Sequence, residues 1–216
     1  MMGEEQKGGG GGIVIKGNDG VLTPYSIGMR YEGNDSFTSQ TVNYLNQVAE
    51  KSKTANRMLS ELIASGYTYT IEESEDGKNV YRPKEEEYKF IDGVTFYVPG
   101  NGTIKFNLKG QKVFEKAEGE TTSKLMSRPD MGLMHELGHA WDHKAGVLAH
   151  NSEKSENLKV QEWTAIRTEN AIRAEMCYPL RPCYGIQNYK DGSKPQPDDP
   201  KLYNRKGEYK FTLYIH

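Results

Sequence analysis

Residues 127–146 read SRPDMGLMHELGHAWDHKAG, and the fold turns on what the histidines in that stretch share. His135 and His139 are four residues apart. On an α-helix that spacing turns about 40° and climbs roughly one turn, so both imidazoles leave one face toward a common point. Two nitrogen ligands of a single zinc ion need that geometry. Glu136 stands beside the first histidine, where its carboxylate reaches a water on the same metal without becoming a ligand, which makes it the candidate general base. The stretch predicts a helix of about four turns, with Asp130 as N-cap and Gly146 as C-cap. The competing reading is an amphipathic helix carrying two satisfied histidines and a solvated Glu136.

His143 continues the stripe but lies eight residues from His135, about 12 Å along the helix axis, too far to share an ion whose bonds are near 2 Å. It is expected either as a cation favoured by the helix C-terminus or as a contact behind the ligands. Asp142 and Ala145 stand where the extended three-histidine metzincin pattern needs glycine and histidine, so that pattern is missing.

A catalytic zinc needs a third protein ligand and an open position. The segment LKVQEWTAIRTENAIRAEM (158–176) reads as a second helix that stops before Pro179, and it offers Glu162, Glu169 and Glu175. Glu162 and Glu169 fall on its mainly apolar face, with Ala165, Ile166, Ile172 and Met176. A carboxylate there is costly unless paired or metal-bound. Glu169 has Arg173 four residues on, whereas Glu162 has Ile166 there, so Glu162 is the expected ligand.

Working outward, SFTSQTVNYLNQVAEKSKTANRMLSELIASG (36–66) carries a helical period, with EKSKTAN polar enough for a bend or two helices. YTYTIEE (67–73) reads as a strand. GVTFYVPGNGTIKFNLKG (93–110) reads as a hairpin of Val94–Val98 and Thr103–Leu108. An extended substrate would pair with the free edge of that hairpin, around residues 103–107. EYKFTLYIH (208–216) alternates like a terminal strand. The fold expected is α+β and zincin-like: a small, mostly antiparallel sheet on the histidine helix, with a second, C-terminal helix closing the site.

The 216 residues, 35% of them hydrophobic, suffice for one domain with a core. Five consecutive glycines at 8–12 read as a linker, which puts a flexible tail at residues 1–20 and a single domain at 21–216. A net charge of −2 without a long basic run argues against nucleic acid and anionic membrane as partners. No apolar run approaches a membrane span or a signal-peptide core, so a soluble chain is expected, cytosolic or exported by another route. Cys177 and Cys183 are too few for a disulfide scaffold, and free thiols are expected.

The blocks HELGHAWD (135–142) and TENAIRAEMCYPLRPCYG (168–185) resemble the NleD-like bacterial effector zinc metalloproteases, metallopeptidase family ninety-one, over roughly residues 90 to 190. The resemblance implies a Zn2+ cofactor, His135 and His139 as ligands, Glu136 as catalytic base and Glu162 as the downstream acidic ligand. It also implies a protein or peptide substrate and export as an effector, or as the terminal module of a toxin. Tyr184, ahead of Tyr178, Arg173 and Arg181, is the expected stabiliser of the developing oxyanion. Two alternatives stand beside a metalloendopeptidase. A peptide deformylase-like amidase takes a cysteine ligand upstream of the helix, but both cysteines here lie downstream. A non-catalytic zinc-stabilised binding or toxin module would have no need of Glu136.

Overall fold

Helix formation around the histidines begins at a proline. In a computed structural model, which describes residues 11–117, 124–155 and 158–182, Pro129–Ala145 is one helix. Arg128 is the N-cap and makes no side-chain capping bond. Pro129 occupies the first turn, where its missing N–H costs nothing. Asp130, expected as the cap, therefore sits inside the first turn, where its charge suits the helix N-terminus. Gly146 ends the helix in the left-handed region at φ 71°, as expected. Residues 130–140 are buried, Gly132 apart (partly buried), so the helix is wrapped on all sides.

In chain order the elements are β1 (Gly12–Lys16), β2 (Leu22–Pro24), α1 (Ser36–Lys51), α2 (Lys53–Ile63), β3 (Thr68–Glu73), β4 (Val80–Pro83), β5 (Tyr88–Ile91), β6 (Val94–Tyr97) and β7 (Gly102–Phe106). Then come β8 (Lys112–Glu115), β9 (Lys124–Ser127), α3 (Pro129–Ala145), β10 (Lys154–Ser155), β11 (Leu158–Lys159) and α4 (Val160–Glu175). The fold is α+β. Its main sheet has the order β2-β1-β3-β7-β4 and is mixed: β1, β3 and β7 run parallel, while β2 and β4 pair antiparallel at the two edges. The expected mostly antiparallel sheet is thus corrected at its centre.

The correction has a local cause. Asp92 and Gly93 both take positive φ, 48° and 83°, the backbone of a two-residue hairpin turn. They fold β6 back onto β5 in a separate two-stranded sheet. Val94–Val98 and Thr103–Leu108 are therefore not hairpin partners, and β7 lies inside the main sheet, paired on both sides. The edge at residues 103–107 proposed for substrate does not exist. β1 also moves the expected boundary at residue 20, because Gly12–Lys16, assigned to the tail, pairs in register with β3.

Across the sheet Ile15, Ile71, Ile104 and Tyr81 stand in one register row, and the three isoleucines are fully buried. Each contributes roughly 1.5–3 kcal/mol of apolar burial. The crossover from β1 to β3 is α1 and α2, separated at Ser52, which ends the first helix and accepts from Ala55 N–H to cap the second. α3 packs against α1, α2, α4, β4 and β7. Among the described residues no helix is long and apolar enough to cross a membrane. Cys177 is exposed and free; Cys183 and the expected strand 208–216 lie outside the described residues.

Candidate metal centre

His135 and His139 leave α3 toward α4, which crosses it with Glu162 in its first turn. Glu162 Oε2 lies 3.1 Å from His135 Nε2 and 3.6 Å from His139 Nε2. One ligand atom from each of the three falls within 4.8 Å of the others. Tetrahedral bonds of 2.0–2.1 Å put neighbouring ligand atoms about 3.3 Å apart. The donor set of two imidazoles and a carboxylate, at this spacing, fits a zinc ion.

His135 is held from its other side. Its Nδ1 is 3.1 Å from Glu169 Oε2, and a carboxylate there keeps the proton on Nδ1 and leaves Nε2 free to ligate. Glu169 in turn accepts from Arg173 Nε at 2.8 Å and from Arg181 Nη1 at 3.0 Å. Arg173 Nη1 donates to Glu115 Oε1 at 2.6 Å and to the Pro179 carbonyl, and Arg128 Nε donates to the same Glu115 oxygen. Glu115, Glu169 and Arg173 are each no more than 3% exposed. Charges this deep are tolerable only because they are mutually paired, and removing one partner of such a network costs about 3–5 kcal/mol.

Burial draws the His135 imidazole down, but hydrogen bonds to Glu162 and Glu169 and the charge of Glu136 outweigh it and raise it to about 10. Burial pushes Glu162 up, and the charge of His139 with hydrogen bonds from both histidines reverses this, holding its carboxyl well below the ordinary range. Metal and proton therefore compete for His135. Glu136 goes the other way: burial, the largest influence, raises it above the usual carboxylate range. Its Oε2 accepts from the Tyr81 backbone N–H at 2.7 Å.

All four residues line a cleft of about 560 Å³, whose walls include Asn79–Pro83, Tyr97, Asn151 and Lys159. Arg173 and Arg181 also line it but aim donors at Glu169. Tyr178 stacks on the Arg128 guanidinium at 4.1 Å. Tyr184 lies outside the described residues. His143 is a buried neutral core residue instead of a helix-end cation. Its Nε2 donates to the Val98 carbonyl at 2.6 Å, its Nδ1 is 2.6 Å from the Tyr81 hydroxyl, and burial pulls it below the ordinary histidine value.

Sequence reasoning missed Glu115 and Tyr81. Nothing local marks either, since both reach the site from strands distant in the chain. Glu169 was read only as the partner of Arg173, which it is, but its hold on His135 depends on how α4 crosses α3.

No curated protein and no solved structure matches the chain. A family model of effector proteins does match, over residues 26–167. It begins well before the expected start near residue 90, spans His135, Glu136, His139 and Glu162, and ends short of Glu169. With well over half its length matched, the chain belongs to the peptidase M91 effector protein family.

Proposed function

We propose that the chain is a zinc-dependent endopeptidase of zincin-like architecture, an effector or toxin-type protease that hydrolyses peptide bonds in protein substrates. Family membership makes it a peptidase. The observation that carries the finer reading is the convergence of His135 Nε2, His139 Nε2 and Glu162 Oε2 beside Glu136 in one cleft. These three residues would hold the ion. When bound, zinc supplies Lewis acidity, acidifying water and polarising a carbonyl.

Glu136 takes the proton of the attacking water on the oxygen that Tyr81 leaves free, then delivers it to the amine nitrogen as the C–N bond breaks. Its burial supports that role by raising its proton affinity above that of an ordinary carboxylate. Tyr184 is the residue proposed to stabilise charge on the carbonyl oxygen.

Strand β4 is the sheet edge that borders the cleft. Lys84 N–H bonds Asn101 O next to the β4–β7 ladder, so even-numbered residues face β7 and Tyr81 and Pro83 face outward. Tyr81 N–H is committed to Glu136, and Pro83 has none. An extended substrate is therefore held on this edge by its own N–H groups, donated to β4 carbonyls.

The test is cleavage of unfolded casein. Zinc-loaded wild type is expected to cleave it, to stop on chelation and to recover with zinc, while Glu136→Ala keeps zinc and cleaves nothing. A fully active Glu136→Ala would sink the proposal.

A further inference from the structure

The third histidine of the helix has no place in the metal centre, yet it is fully buried and bonded at both ring nitrogens. A carbonyl can only accept, so the Val98 bond places the proton on Nε2 and leaves Nδ1 to accept from the Tyr81 hydroxyl. The Tyr81 ring reaches His143 across β7 at Gly102, where a methyl group would overlap the Tyr81 hydroxyl and ring. A glycine inside a strand marks such a close approach. The Tyr97 ring closes over His143 at 6.1 Å, edge to face. Tyr81 is thus gripped by its side chain, two turns of helix beyond His135, while its backbone N–H points back at Glu136 Oε2.

We propose that His143 and Tyr81 form a positioning pair for the general base: His143 fixes the Tyr81 side chain, and the Tyr81 amide then holds one oxygen of Glu136 so that the other faces the reacting water. This rests on the peptidase reading above. Neither side chain is placed against substrate or metal; both act through Glu136. The coupling has a physical route, because β4 is an edge strand with a ladder on one side only. Its outward-facing residue 81 is held by the hydroxyl contact and the Glu136 bond.

Hydrogen exchange of the residue 81 amide, followed by NMR in zinc-treated protein, tests the pair without any substrate. In wild type this amide is expected to be slow, and Glu136→Ala should speed it. Tyr81→Phe and His143→Leu should each speed it at least about tenfold, the loss expected for a bond to a charged acceptor. The residue 80 and 82 amides, in the β7 ladder, should stay protected. His143→Gln, which keeps an N–H for Val98 and an oxygen for Tyr81, should fall between His143→Leu and wild type.

On unfolded casein, kcat of Tyr81→Phe should drop about tenfold to a hundredfold with KM and bound zinc unchanged. Wild-type protection of residue 81 in Tyr81→Phe and His143→Leu would overturn the inference. So would equal acceleration of residues 80, 81 and 82, which would make the role merely structural. A wild type that neither binds zinc nor cleaves casein defeats the peptidase reading instead, and is told apart because it fails without any change at Tyr81 or His143.

Discussion

Glu162 and Glu169 lie two helical turns apart on α4 and meet opposite nitrogens of one imidazole. Their different partners divide the labour. Among the described residues no lysine or arginine pairs with Glu162, which faces both Nε2 atoms, so its charge is available to a metal. Glu169 is saturated by Arg173 and Arg181 and serves to orient His135. Glu169→Gln keeps an acceptor for Nδ1 but removes the charge that balances two guanidiniums. Zinc affinity, read by competition with a chromogenic chelator, should fall about tenfold to a hundredfold; an unchanged affinity would show that Glu169 serves stability alone.

At the level of elements, α3 is held by neighbours on each side, and two of its contacts make opposite demands. Against α4, a Cβ at Gly138 would meet Ala165 at 3.6 Å, an ordinary contact. Gly138→Ala should therefore add about 0.5–1 kcal/mol by reducing the freedom of the unfolded chain, measured by urea unfolding. Against α2, Glu61 accepts from the Trp141 indole N–H at 2.8 Å, from Arg57 and from Lys144. Those bonds, the Trp141 bond foremost, pull its pKa to about 2 against burial. A folded pKa below the unfolded one adds stability that is present above about 4.5 and lost as pH falls toward 2. Since its side chain is 32% exposed, solvent screening reduces this to about 1–2 kcal/mol. Glu61→Gln should unfold more easily at pH 7, with the gap closing between pH 4.5 and 2. The helices themselves were legible from period and punctuation: Gly146 stops α3, and the polar EKSKTAN does break at Ser52. The strands were not. Asp92-Gly93 carried a hairpin signal as strong as Pro-Gly-Asn-Gly, and which turn closes a hairpin was decided by parallel pairing of β7 with β3, a contact across more than thirty residues.

For the whole molecule, the mixed sheet carries α3 against its last two strands, β7 and β4, and α4 packs on α3 where His135 and His139 leave it. The His135, His139 and Glu162 cluster was readable because all three residues lie on helices whose faces follow from spacing. Glu115 and Tyr81 were not, because strand edges and loops bring them in from elsewhere. His135, His139 and Glu162 are proposed to hold one zinc together, while Glu136 does not ligate it. Elemental analysis after zinc reconstitution and dialysis, on wild type, Glu136→Ala and Glu162→Ala, tests this most directly. About one zinc per chain is expected in the first two, with loss of it from the third. Wild type that retains none, or Glu162→Ala that retains as much as wild type, would contradict it.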